Sequence, residues 1–311
     1  MLAALPTRRQ FLGQAAGLTV AGLGLTAPAA AANPFRLRYA LASCMYGTAS
    51  LADVLPEVNK TGAEVIDLWP RVHGNQREQL DQLGFDAFEE LLKKNKTKLG
   101  VLTRYDLGPL KLQPEMAVAQ RFGASIIVTG SGGSKELRGD ELKTAIKNFV
   151  EQLKPQVEAA AKHGVTIAIE NHGNTMINRP ESLRWLAEFS PSKHLGIALA
   201  PYHLPQDPEV IAGVVRDCGP KVVHFYAWEH GKGAMEKRPV DEQLMQLPGR
   251  GPLDFTPILA ALKKIDYAGW TEIFMHPVPR GVPILESTAK VSEEINRVRQ
   301  GYLARCLEKV G

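Results

Sequence analysis

From residue 36 onward the chain alternates between two hydrophobic periods. Short runs rich in β-branched and small apolar residues, "RLRYALAS", "AEVIDLW", "LGVLTRY", "ASIIVTG", "VTIAIEN", "LGIALA", "KVVHFYA" and "GWTEIFMH", have the length and composition of buried strands. Between them lie longer stretches with apolar residues at helical spacing, among them "LADVLPEVNKTG", "FDAFEELLKKNKTK", "ELKTAIKNFVEQLKPQVEAAAKHG" and "DFTPILAALKKIDYAG". Gly62, Gly123, Gly164 and Gly219 stand just ahead of the next strand, where a helix C-cap is expected. Eight strands alternating with helices predict an α/β chain folded as a (β/α)8 TIM barrel, a single domain over residues 33–311. A doubly wound open sheet would carry a glycine-rich phosphate fingerprint after its first strand, and "ASCMYGTAS" is not one.

Residues 1–32 break the rhythm. Arg8 and Arg9 in "TRRQFLG" precede a run of small apolar residues that ends in an Ala-x-Ala site near Ala30 to Ala32. This has the layout of a cleavable secretory signal and resembles the twin-arginine export type. The expectation is therefore a periplasmic or other extracytoplasmic protein, with no stable membrane insertion after cleavage. A run of Gly and Ala is short and weakly hydrophobic for a span. Removing the two arginines lowers the net charge from +4 to about +2. No basic stripe appears, so nucleic acid is not an expected partner. Cys44, Cys218 and Cys306 form no disulfide framework and no thiolate metal spacing, and read as small buried hydrophobes.

A barrel of this class builds its site at the C-terminal ends of the strands. The fifth strand ends in Glu170, Asn171 and His172, and His203 follows the sixth. His224 interrupts the apolar seventh, and Glu272, Phe274 and His276 share one face of the eighth by alternation. A carboxylate closing an apolar strand must be paired, protonated or metal-bound. Imidazole and carboxylate donors on four consecutive strands point to one divalent metal ion, Zn, Mn, Fe or Co.

"IAIENHG", "ALAPYHL", "VVHFY" and "PGRGPLDFTPILAALKKIDYAGW" resemble the xylose isomerase-like TIM-barrel superfamily, the sugar phosphate isomerase/epimerase group. The resemblance covers essentially all of residues 33–311; Gly249, Gly251, Asp254 and Phe255 match its Gly-x-Gly-x-x-Asp-Phe element. It implies a cation held by Glu, Asp, His and Glu on strands five to eight. Glu170 and His224 match the first and third, whereas the Asp position falls on Ala200 and the last Glu on Phe274. The expected metal donors are therefore Glu170, His203, His224 and His276. His276 is preferred to Glu272 because it lies nearer the mouth, about 6.6 Å beyond Phe274.

Glu170, His172 and Glu272 are the candidate catalytic groups, and Trp69, His73, Arg104 and Arg250 the candidate substrate contacts. The segment from Glu229 to Pro252 is a candidate lid, and "TGSGGS" a weak phosphate cradle. The resemblance implies a sugar isomerase or epimerase working through an enediolate on a small carbohydrate or polyol. A lyase on an oxidised sugar or glycoside, and a non-catalytic sugar-binding barrel with a degenerate metal site, are the alternatives. Phosphoester hydrolysis, as in the superfamily's endonuclease branch, needs more Asp and His than the chain supplies. Nothing in the sequence bars a homo-oligomer.

Overall fold

Each apolar run becomes a strand, and each strand hydrogen-bonds the next. In the computed structural model, which describes residues 35–311, β1 (Arg38–Ala42), β2 (Val65–Leu68), β3 (Leu99–Thr103) and β4 (Ile126–Gly130) are followed by β5 (Thr166–Glu170), β6 (Leu195–Leu199), β7 (Val222–Ala227) and β8 (Trp270–Ile273). All pairings are parallel, and β8 pairs back onto β1 through Tyr39 and Thr271, so the sheet closes as a barrel. The predicted (β/α)8 architecture is what the chain adopts. The predicted signal segment, residues 1–32, lies outside the described residues.

Helix boundaries follow local chemistry. The Asp207 side chain accepts hydrogen bonds from the Glu209 and Val210 amides at the start of helix Pro208–Cys218, whose first residue is a proline. The helices Gln113–Phe122 and Gly139–His163 stop at Gly123 and Gly164, both left-handed at φ +74° and +68°. These two glycines were legible as caps because other residues pay a steric penalty there.

The barrel's inside departs from the usual branched apolar filling. Asp67, Thr103, His224, Tyr226 and Glu272 occupy it, none with measurable exposure. Above them sits an aromatic layer: Phe274 stacks on Trp69 at 4.9 Å, with Trp228 edge-on at the same distance. The segment Glu229–Pro252, expected as a lid, is packed down and carries the short helix Val240–Leu244. Gln246 fastens it: its amide oxygen accepts from Trp228 Nε1 at 3.0 Å, and its amide nitrogen donates to the His276 carbonyl at 3.0 Å.

Candidate active site

Glu170 is the last residue of β5, so its carboxyl emerges where the barrel opens. It borders a cavity of about 450 Å³ that is also lined by His73, Tyr105, His172, His276 and Arg280. These residues follow β2, β3, β5 and β8, which places the cavity at the C-terminal mouth. Burial drives the Glu170 carboxyl well above its ordinary range. His203 stands beside it, Nε2 to Oε1 at 3.9 Å, and burial holds that imidazole well below its usual value.

A clamp fixes this pair. Asn171, fully buried, donates from Nδ2 to the Ala200 carbonyl at 2.9 Å and accepts the Ala200 amide on Oδ1 at 2.8 Å. The clamp joins the ends of β5 and β6, and the turn Pro201–His203 then carries His203 back toward Glu170. His172 packs against His203 with ring centroids 4.2 Å apart. The Asn174 amide donates to His172 Nδ1 at 3.3 Å. A neutral His172 therefore keeps its proton on Nε2.

On the other side of the mouth His73 stacks on His276 at 4.1 Å. Burial, with the Arg280 charge added, lowers His73 to about 4, and burial, with neighbouring His73 and Arg280, holds His276 well below its usual value. Both rings are neutral at neutral pH.

The remaining expected site residues lie elsewhere. His224 and Glu272 face each other at 3.7 Å in the closed interior, both fully buried, and neither borders the cavity. Here the sequence reading needs correcting: Glu272, not His276, is the neighbour of His224, because His224 lies within β7 while His276 lies beyond the end of β8. Glu272 is also too deep to meet a substrate. Trp69 is 1% exposed and serves as packing under the mouth rather than as an open stacking surface. Arg104 is tied to Asp106 at 2.8 Å and to Glu115, and Arg250 to Glu294 at 2.6 Å, so both guanidiniums are committed away from the cavity. Of the glycine-rich run that starts at the end of β4, Gly130 and Gly132 form part of the wall.

The expected donors do not make a divalent-cation site as they stand. Glu170 pairs with His203, His224 with Glu272, and His276 with His73. Among the described residues no group of three or more His, Cys, Asp or Glu side chains is placed to hold a metal ion. Three protein donors are the ordinary minimum for a bound zinc. The set Glu170, His203, His224 and His276 is split because His224 lies within β7, below the mouth, whereas His203 and His276 lie beyond the ends of β6 and β8. The two positions where the resemblance implied carboxylates hold Ala200, clamped by Asn171, and Phe274, stacked on Trp69.

Two groups escaped sequence reading. Arg280 lies four residues beyond His276 in "MHPVPR", past the point where the strand pattern ends. Asp67 sits mid-run in "AEVIDLW", where its side-chain direction depends on barrel register.

A family model described as xylose isomerase-like TIM barrel matches residues 55–300. No curated protein matches the sequence. Among solved structures, the chain is similar to an IolI protein with a bound zinc atom, at 16% identity and TM-score 0.67, covering 88% of this chain and 99% of that one. It is similar to a D-tagatose 3-epimerase-like protein at 19% identity and TM-score 0.63, covering 88% and 100%. It is also similar to the 3-keto-D-glucoside 4-epimerase YcjR from E. coli, at 13% identity and TM-score 0.64, covering 85% and 100%. At these identities the likeness is one of fold.

Proposed function

The chain belongs to the xylose isomerase-like TIM barrel family, and from that premise we propose that it is a sugar isomerase or epimerase-type enzyme, acting on a small carbohydrate or polyol by proton transfer beside a carbonyl. The observation that carries this reading is Glu170: a carboxyl raised by burial at the cavity wall, flanked by neutral imidazoles. A base raised toward neutral pH is matched to abstraction of a weakly acidic C–H proton. Sugar epimerases among the structures of the same fold support the substrate class.

In this chemistry Glu170 takes the proton from the carbon next to the carbonyl. The electron pair of that C–H bond becomes the enediolate, and His172 Nε2–H gives its proton to the developing oxyanion. Return of a proton to the neighbouring carbon, with His172 recovering its own, completes an aldose–ketose shift. His203 Nε2, buried without a hydrogen-bond partner, is available to a substrate hydroxyl.

One carboxyl at the wall, not two, favours one-base chemistry over symmetric two-base epimerisation. The same asymmetry suits β-elimination on an oxidised sugar, which needs one base and one acid. Product analysis by NMR separates the two. No step is routed through Zn, Mn, Fe or Co, because the expected donors stand in separate pairs. Metal analysis of the purified protein tests that point, and a stoichiometric ion lost in Glu170→Ala would reinstate the cation.

Glu170→Gln is expected to lower kcat by about 100-fold or more, the usual worth of a positioned base. The assay is exchange of the substrate's α-proton with solvent deuterium. Retained exchange in the variant would remove Glu170 from the role. Because the carboxyl is raised, it must ionise before it can act. The acid limb of the kcat profile should therefore lie above the ordinary carboxylate range of about 4.3.

A further inference from the structure

The mouth has two lobes. The main cavity adjoins a smaller one of about 200 Å³ bordered by Tyr202, His203, Trp228 and Met235. His172, Asn174, His276 and Arg280 line both, so Arg280 stands at their junction. Its orientation is fixed: one terminal nitrogen donates to the Pro277 carbonyl at 2.6 Å and the other to the Ala234 carbonyl at 2.7 Å. A guanidinium has five N–H donors. Two are used on carbonyls, which leave its charge unanswered.

No carboxylate answers that charge among the described residues. Arg77, Arg104, Arg179, Arg250 and Arg297 all have acidic partners, whereas Arg280 has none. Residues 1–34 contain no Asp or Glu that could supply one. Half-burial pulls the guanidinium below its ordinary value, offset only in part by the Tyr202 and Cys44 side chains and by no carboxylate. The single carboxyl at the wall, Glu170, is not among the charges acting on Arg280, and the surrounding imidazoles are neutral. A half-buried, rigidly held and uncompensated cation is costly unless something outside the chain pairs with it.

We propose that Arg280 receives a carboxylate on the substrate, and that the natural substrate is a sugar acid of the uronate or aldonate kind. This rests on the reading of the cavity as a sugar site, and it narrows the substrate class within that reading. A guanidinium fork fits a planar carboxylate, and one cation balances one negative charge. No lysine or second arginine lines either lobe, so a phosphate dianion would be left half-neutralised. Pairing at the junction also orients the sugar, with its ring directed toward Glu170.

The test is calorimetric binding of D-galacturonate and D-glucuronate to the full chain, against D-galactose, D-glucose and D-glucose 6-phosphate. At least one uronate is expected to bind about 10-fold or more tightly than its parent hexose, the worth of a charge-assisted hydrogen bond. Arg280→Gln should bring uronate affinity down to that of the hexose. Arg280→Lys, which keeps the charge but not the fork, should retain part of the preference. Circular dichroism melts establish that the variants are folded, and the wild-type selectivity is informative without them. Equal affinity for hexose and uronate, tighter binding of the 6-phosphate, no binding of either uronate, or an intact preference in Arg280→Gln each overturns the proposal. Solvent-deuterium exchange on the bound uronate is read separately. Tight, Arg280-dependent binding without exchange would leave carboxylate recognition standing and count against the isomerase reading.

Discussion

Asp67 and Glu272 are neighbours inside the barrel, and neither touches solvent. Burial raises both acids, and the Asp67 charge raises Glu272 further; the Thr103 hydroxyl, donating to Asp67 Oδ2 at 2.6 Å, offsets part of the rise for Asp67. Asp67 is pushed up to about 7, from 3.8. Neither Glu272 oxygen nor Asp67 Oδ1 has a hydrogen-bond partner, so nothing offsets the burial of a charge on Glu272 and the pair favours holding a proton. The consequence for stability has a definite sign. Between pH 4 and 7 the folded state holds a proton that the unfolded state releases, so stability falls as pH rises through that window. Asp67→Asn, which keeps the shape and cannot ionise, should lose less. Its Tm is expected to fall between pH 5 and 8 by at least about 2 °C less than the wild type's. Parallel pH curves from thermal melts would show that Asp67 is ionised in the folded protein.

At the scale of elements, the site depends on how two strand ends are held together. The Asn171–Ala200 clamp pairs the Ala200 N–H, and shares its carbonyl with the His203 amide, where β6 stops and the chain turns. Asn171→Ala orphans the Ala200 N–H, at about 1–3 kcal/mol if it remains dry, and leaves the Ala200 carbonyl with the His203 amide alone. It also frees the turn that brings His203 to Glu170. The expected result is a lower Tm and a kcat reduced roughly 10- to 100-fold, since small misplacements of reacting groups are costly. An unchanged kcat in a destabilised variant would confine the clamp to folding. The segment Glu229–Pro252 shows the opposite case, where a sequence rich in Lys232, Lys237, Arg238 and Arg250 reads as mobile surface. Its buried anchors, Gln243, Leu244, Gln246 and Leu247, are what pin it. Their signal is a half-apolar helical turn too short to stand out from loop sequence.

Across the whole molecule, the barrel was legible because closure repeats one local rule eight times: an apolar run, a turn, an amphipathic helix. Strand identity survives an error of a residue or two, whereas a site does not. Glu170, His172, His73 and His276 could be placed at the mouth from strand ends alone. The pairing of His224 with Glu272 could not, because it is set by stagger between β7 and β8, where Tyr226 and not His224 is level with Glu272. Arg280 required the path of a loop. What precedes the barrel is read from sequence only. The first strand begins at Arg38, so cleavage near Ala32 would leave every strand intact. We propose export on the twin-arginine pattern of "TRRQFLG", a route for folded cargo. Arg8→Lys with Arg9→Lys keeps the charge and removes the guanidinium pair, and is expected to hold the protein inside the cytoplasm. Cell fractionation with an antibody to the barrel reads the outcome, and mass spectrometry of the exported form should find a start near Asn33. Delivery of the double variant as efficient as the wild type's would show that the arginines are not the signal.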